Sequence, residues 1–263
     1  MPELPEVITI RNDLKKEILG KKIAGVWAQD KSKEKELNPA VIGTKIVGVG
    51  NRAKLLILKL SSQQYIAIHL NMTGVLLFNS ADPYVRVSLK FNDVSTLNFS
   101  DTRMFGFLKL WSEQELKAYV SRYGKSVLDA SLNGSKFAEI LKKTNTGIKN
   151  ALLDQKLISG VGNIYTNDAL YLSDINPKKK TREITNKEYE ALFKSLKEIL
   201  LEGIKNRGSS IDRYKDIYGR QGSQQNFFRV YGKAGKKCDK CDTKIVFEKV
   251  QGRGTFYCPT CQS

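Results

Sequence analysis

Cys238, Cys241, Cys258 and Cys261 are all the cysteines of the chain, in the pattern C-x2-C-x16-C-x2-C. Two such knuckles can present four thiolates to one ion in a tetrahedron, the arrangement of a structural zinc site. Two disulfides in an exported protein are the competing use of four cysteines. No hydrophobic export segment precedes Glu3, so the expectation is one zinc ion. Four protein ligands leave no position open for water, so any catalysis must lie elsewhere. Between the knuckles, Lys244 to Tyr257 reads as a β-hairpin, with Ile245-Val246-Phe247 going out, Gly252-Arg253-Gly254 turning and Thr255-Phe256-Tyr257 returning.

Lys and Arg number 44 against 27 Asp and Glu over 263 residues, a net charge of +17 spread along the chain. The expected partner is a polyanion. No apolar run approaches the roughly 18–20 residues that span a bilayer, so nucleic acid is favoured over membrane. Structural RNA-binding proteins share such a charge, which by itself says only that phosphate is bound. Reduced, metal-binding cysteines point to the cytoplasm or another reducing compartment. The length allows two domains and a small metal module.

From about Lys21 to Trp111 the pattern is strand-like. Lys45–Val49, Lys54–Leu60, Tyr65–Leu70, Val75–Phe78, Tyr84–Phe91 and Phe105–Trp111 are short apolar or alternating runs separated by turn residues, which predicts a β-sandwich preceded by a helix over roughly Val7–Ile18. After Trp111 the period becomes helical. Ser112-x-x-Glu115 and Thr185-x-x-Glu188 have capping-box form, and the second opens a helix with Leu192, Phe193, Leu196, Ile199, Leu200 and Ile204 on one face. Ile148–Leu157 reads as a helix, broken by Ser159-Gly160-Val161-Gly162 before another from Asn163 to Leu170. A Gly-rich turn entering a helix aims backbone N–H groups outward, where phosphate can bind, though most such turns only join helices. Residues 207–237 read as a long loop, functional or disordered.

The start, Met1-Pro2-Glu3-Leu4-Pro5-Glu6-Val7, resembles that of the formamidopyrimidine-DNA glycosylase family of bacterial base-excision repair enzymes. The resemblance continues through Asn51-Arg52-Ala53-Lys54, His69-Leu70-Asn71-Met72-Thr73-Gly74, Asp101-Thr102-Arg103-Met104-Phe105-Gly106, Gly160-Val161-Gly162-Asn163-Ile164-Tyr165, Val230-Tyr231-Gly232-Lys233 and Gly252-Arg253-Gly254-Thr255-Phe256-Tyr257-Cys258. In this order, and with the terminal knuckles, the set is specific. It implies an α+β chain: a catalytic β-sandwich domain with an N-terminal helix (1–112), a linker helix (113–130), a helix-two-turn-helix domain with a lesion-capping loop (131–230) and a zinc-binding hairpin (231–263).

The resemblance also implies roles. Once Met1 is removed, Pro2 carries a secondary amine of pKa about 7.7–8.0, partly unprotonated at neutral pH and able to attack C1′ of a deoxyribose. Glu3 resembles the family's acid/base carboxylate, with Glu6 one helical turn on to support it. Lys54 would meet the damaged nucleotide, while Asn163 and Arg253 would grip its flanking phosphates. Met72, Arg103 and Phe105 match the residues that fill the hole left by the extruded base, and Lys149 a lysine beside the lesion pocket. On composition alone these would be surface charges, helix-dipole partners and core apolar residues.

Two departures stand out. The histidine-rich stretch common in relatives is Asp82-Pro83-Tyr84 here, so its backbone contact is either absent or replaced by Arg86, and Ile8 stands where a third carboxylate is common. The implied activity is a glycosylase and abasic-site lyase, acting as a monomer on duplex DNA with oxidised purines, in the bacterial cytoplasm at the nucleoid. It would proceed by β/δ-elimination through a Schiff base. The endonuclease VIII branch, which prefers oxidised pyrimidines, and a non-catalytic zinc DNA-binding protein are the alternatives. Leu4, Met72-Thr73-Gly74 and a 212–226 loop long enough to cap a flipped purine favour the purine branch over the pyrimidine one. Arg253→Ala should flatten the slope of log affinity against log salt by about one, and Arg103→Ala should instead weaken preference for the base opposite the lesion. A salt titration of both variants on duplexes with different opposite bases separates the two roles.

Overall fold

Helix α1 (Leu4–Ile18) begins three residues before the sequence predicts, because Pro5 fits a first helical turn, where no intrahelical N–H is needed. Leu4, Val7, Ile10, Leu14 and Ile18 recur at helical spacing and are buried. The computed structural model describes residues 1–263 and divides into one unit of Met1–Ser121 with Ile204–Gln225 and another of Arg122–Gly203 with Asn226–Ser263.

In the first unit, β1 (Ile23–Ala28), α2 (Lys31–Val41), β2 (Ile46–Arg52), β3 (Leu55–Leu60), β4 (Tyr65–His69), β5 (Gly74–Phe78), β6 (Val85–Phe91), β7 (Thr96–Asp101), β8 (Phe107–Trp111) and α3 (Glu113–Val120) follow α1. The strands form two antiparallel four-stranded sheets, ordered β1-β6-β7-β5 and β2-β3-β4-β8. Residues of α1 and of both sheets enclose one apolar core, including Leu14, Phe91, Leu58 and Ile68. Two elements escape the sequence pattern. Helix α2 opens on a run of charged residues, Lys31 to Glu36 broken only by Ser32, is capped by Asp30 (accepting from Ser32 N at 2.9 Å) and buries only Leu37 and Val41. Strand β7 carries Asn98, Ser100 and Asp101 inside, so it does not alternate, and Asn98 Nδ2 donates to Ser80 O at 2.7 Å.

The second unit contains the parallel pair β9 (Lys125–Ser126) and β10 (Ile158–Ser159), with helices α4 (Gly134–Lys142), α5 (Ile148–Leu153), α6 (Asn163–Leu172) and α7 (Asn186–Lys205). The hairpin of β11 (Val246–Val250) and β12 (Arg253–Tyr257) follows. Helix α5 ends four residues earlier than predicted, where Gln155 turns back to donate to Leu153 O and Val161 O. The hairpin turn also shifts. Val250 pairs with Arg253, so the turn residues are Gln251 (φ +44°) and Gly252 (φ +77°), the two positive φ values of a tight hairpin turn, and Arg253 begins the return strand.

The sequence predicts one block over 131–230, but residues 204–225 pack with the first unit. Tyr214 and Ile217 join its core, and Phe78 N donates to Ile217 O at 2.7 Å. Arg207 bridges the buried carboxylates of Asp13 on α1 and Asp216, the latter at 2.6 Å. Asp216 also accepts from Arg220 Nε and from the backbone N–H groups of Tyr218 and Arg220, each at 2.9 Å. Part of the segment that the sequence reads as a long loop, functional or disordered, is thus held by an ionic cluster. Burial alone would raise the Asp216 carboxyl, but the Arg220 N–H and the Arg207 and Arg220 guanidiniums outweigh it and hold the carboxyl below the usual range. A depressed folded-state pKa stabilises above the unfolded value near 3.9, and that contribution is lost as pH falls through the folded value. Asp216→Asn should therefore cost about 2–3 kcal/mol at pH 7, with the gap from the parent closing below about pH 4 in urea unfolding curves.

Candidate active site

Pro2 and Glu3 are buried at the head of α1, with Pro2 linked to an exposed Met1. Glu3 is the residue before the first helical turn. Glu6 is 1% exposed, and its two carboxylate oxygens take different donors: Oε2 accepts from Glu3 N at 2.7 Å and Oε1 from Ser209 N at 2.8 Å. The predicted support of Glu3 by Glu6 is therefore a backbone bond that fixes the position of the chain start. Position 208 must be glycine for two reasons. Its φ is +81°, and a Cβ there would lie 2.7 Å from Glu6 Cγ and 2.8 Å from Oε1. Ser209 and Gly208 were not legible as site residues, since nothing in their local sequence points to a carboxylate 203 positions earlier.

Lys54 is 7% exposed and sits in the two-residue turn joining β2 to β3, opposite ends of which pair as Arg52 and Leu55. Ala53 before it has φ +50°, an uncommon conformation for a side chain. Asn51 Nδ2 braces that turn through Ala53 O at 3.1 Å, and Arg11 Nη1 of α1 donates to Asn51 Oδ1 at 3.0 Å. Helix α1 packs on both strands, so the element carrying Pro2 and Glu3 and the turn carrying Lys54 belong to one rigid corner.

Met72, Arg103 and Phe105 are exposed and lie together. The Arg103 guanidinium lies 4.6 Å from the Phe105 ring centre, and its Nη1 lies 3.8 Å from Met72 Sδ. Asp101, 1% exposed, anchors their loop by accepting from Arg103 N at 3.1 Å, Gly106 N at 2.7 Å and Thr73 Oγ1 at 2.5 Å. Arg86 Nε donates to Asp101 O at 2.8 Å and its Nη1 to Gln29 Oε1. The cation beside Tyr84 is Arg213, 5.2 Å from its ring centre.

In the second unit, Arg253 is exposed at the start of β12 and Asn163 is the first residue of α6. Asn163 Nδ2 donates to Gly254 O at 3.0 Å, so this side chain holds the residue after Arg253 while α6 leaves its first N–H groups at the helix end. Lys149 departs from expectation. It is fully buried, and its ammonium donates to Gly254 O and Thr255 Oγ1 at 2.8 Å and to Asn167 Oδ1 at 3.3 Å. A buried ammonium must spend its donors on internal acceptors, so Lys149 supports the hairpin from beneath and does not face a ligand from this position. Asn167, unremarkable in sequence, also accepts from Phe256 N at 2.8 Å and completes the seat of β12.

The four cysteines are free of disulfides, with all Sγ atoms within 4.8 Å of one another. Cys238 and Cys261 Sγ are 3.8 Å apart and Cys241 and Cys258 Sγ 3.5 Å. A tetrahedron of Zn–S bonds near 2.3 Å has edges of about 3.8 Å, so the set fits one zinc ion. Lys240 N and Cys261 N point at Cys238 and Cys258 Sγ from 3.4 Å, and the Tyr171 hydroxyl lies 3.3 Å from Cys238 Sγ, donors suited to thiolates. These four cysteines would hold the ion, which supplies cross-linking to a small apolar core of Tyr171, Val230 and Ile245.

Three family models match the chain: formamidopyrimidine-DNA glycosylase N-terminal domain over residues 1–108, the formamidopyrimidine-DNA glycosylase H2TH domain over 124–215, and a zinc finger found in FPG and IleRS over 235–263. The chain is 39% identical to the formamidopyrimidine-DNA glycosylase of Chloroflexus aurantiacus, covering 100% of this chain and 98% of that protein. It is 32% identical to that of Mycoplasma genitalium, covering 100% and 96%. Among solved structures, Lactococcus lactis Fpg in complex with an abasic-site DNA superposes with a TM-score of 0.92 at 34% identity, covering all of both chains. MutM in complex with a carbocyclic 8-oxo-G DNA superposes at 0.91 with the same identity and coverage.

Metal analysis should find about one zinc per chain. Cys258→Ser should lose it, and with it the placement of Arg253, so that strand cutting is lost while the β-sandwich still unfolds near its original temperature. Active protein without zinc would contradict this.

Proposed function

Because the chain belongs to the formamidopyrimidine-DNA glycosylase family, we propose that it is a base-excision repair enzyme that extrudes oxidised purines from duplex DNA, cuts their N-glycosidic bond and opens the strand at the abasic site. The observation that carries the reading is the fixed chain start: Pro2 and Glu3 buried at the head of α1, with Glu6 binding the Glu3 and Ser209 N–H groups. A mere DNA-binding module has no use for an immobilised N-terminal proline.

After Met1 is removed, the unprotonated Pro2 nitrogen attacks C1′ of the damaged nucleotide and the bond from C1′ to the base breaks, the base leaving with a proton. Glu3 protonates the ring oxygen O4′, and the opened sugar is held as a cationic iminium on Pro2. The iminium acidifies C2′. Loss of that proton expels the 3′ phosphate, and a second elimination expels the 5′ phosphate. Lys54, a compact charge at a rigid turn, binds the nucleotide's phosphate, while Arg253 and the amide end of α6 at Asn163 hold the flanking phosphates. Met72, Arg103 and Phe105 fill the space left by the base. A purine substrate is supported by the 212–226 segment as its cap. The proposed workplace is the bacterial cytoplasm, at the nucleoid; no helix of the chain is long and apolar enough to cross a membrane.

Borohydride should trap a covalent adduct between the Met1-free chain and an 8-oxoguanine duplex. Pro2→Thr should give none, and Pro2→Gly should turn over at least about 1,000-fold more slowly, with duplex affinity kept in both. Trapping by Pro2→Thr, or full activity in protein whose mass includes Met1, would refute the assignment.

A further inference from the structure

Two chain segments cross between the sheets of the first unit side by side. One runs from His69, the end of β4, to Gly74, the start of β5; the other runs from Asp101, the end of β7, to Phe107, the start of β8. Both ends are registered, since His69 pairs with Phe107 in one sheet and Gly74 with Asp101 in the other. Met72 lies on the first crossing, Arg103 and Phe105 on the second. Between the paired ends no backbone ladder joins the two crossings, so side chains must set their spacing.

Asn71 is placed to do so. Its Nδ2 donates to the backbone carbonyl of Phe105, across the gap. Its own backbone has φ +47°, a conformation that asparagine tolerates better than most side chains, and its N–H donates to His69 Nδ1 at 3.1 Å. Asn71 is therefore fixed at both ends while Met72, next to it, stays exposed. The Thr73–Asp101 bond ties the crossings a second time, near their sheet ends. Asn71 alone reaches the carbonyl of the residue that would wedge between base pairs. Met104, left-handed at φ +54° and 68% exposed, shows that the tip it braces is held open to solvent.

We propose that Asn71 is a positioning residue that locks the Phe105 wedge to the Met72 crossing, so that the two enter the duplex as one piece and Arg103 meets the opposite base at a set depth. This rests on the reading of Met72, Arg103 and Phe105 as the residues that replace the extruded base. Asn71 touches no reacting atom, so its loss acts on extrusion and opposite-base choice and leaves the chemistry at Pro2 in place.

The test compares the Met1-free chain with Asn71→Gly, which keeps the left-handed backbone and loses the strap, and Asn71→Asp, which keeps size and turn preference but offers no donor. Single-turnover excision of 8-oxoguanine opposite cytosine and opposite adenine, with 2-aminopurine beside the lesion, reports selectivity and wedge insertion. Both variants should narrow the opposite-base ratio and slow the 2-aminopurine step by roughly 5- to 10-fold, the worth of one hydrogen bond. Borohydride trapping on a preformed abasic duplex, which needs no base extruded, should stay within about 2-fold of the parent. Adding Asn71→Gly to Phe105→Ala should change the 2-aminopurine step no further, as one pathway requires. Parental selectivity and wedge kinetics in both variants, or additive losses in the double variant, would overturn the proposal. A parent chain that traps no adduct at all would instead count against the proposed function.

Discussion

Glu6 spends its carboxylate on backbone, and much of the first unit depends on that. One oxygen holds the N–H of Glu3 and the other the N–H of Ser209. A buried carboxylate with a missing donor would be costly, so both segments are obliged to meet it. The obligation explains Gly208, where any side chain would strike Glu6. It also explains why residues 204–225 join the first unit. Arg207, adjacent to Gly208, bridges Asp13 on the same helix and Asp216 further along, and the Tyr214 hydroxyl donates to Arg207 O at 3.0 Å. A chain start would otherwise fray. Here Glu6 fastens it to Ser209, and the ion pairs of Arg207 with Asp13 and Asp216 hold that segment in turn.

The second unit applies the same device with the sign reversed. Lys149, a buried cation, takes Gly254 O, Thr255 Oγ1 and Asn167 Oδ1 as acceptors, and Asn163 adds a second bond to Gly254 O. The thiolates suited to zinc fix the far end of the same hairpin. Arg253 projects from the first position of β12, on a hairpin with the cysteine cluster at one end and the buried Lys149 ammonium beneath it. An arginine that must fork onto phosphate gains from such a base, because less side-chain and backbone freedom remains to be lost on binding.

Much of this was readable in the sequence wherever one residue type has one use at a fixed spacing. The four cysteines announce their site, Pro5 and the spacing of Val7, Ile10 and Leu14 announce the first helix, and the alternating runs announce the sheets. What escaped lies at long range or breaks periodicity. Helix α2 is too charged to show an apolar face, and β7 hides Asn98 and Asp101 inside because hydrogen bonds satisfy them there. Lys149 looks like any basic residue near a Gly-rich turn, and only its burial shows that it faces inward. The two glycines of Gly252-Arg253-Gly254 point to a turn one residue later than the one that the Val250–Arg253 pairing makes at Gln251 and Gly252.

The central claim is that Glu6 holds the catalytic start in place through its two backbone donors. Glu6→Gln tests it directly, since the amide keeps the shape, accepts through one oxygen and turns an NH2 toward the other donor. The measurement is the single-turnover rate of borohydride-trapped adduct formation on a preformed abasic duplex, beside the duplex affinity. The account predicts a rate lower by at least about 10-fold, the loss of one charge-assisted bond, with affinity within about 2-fold. Adduct formation at the parental rate would contradict it.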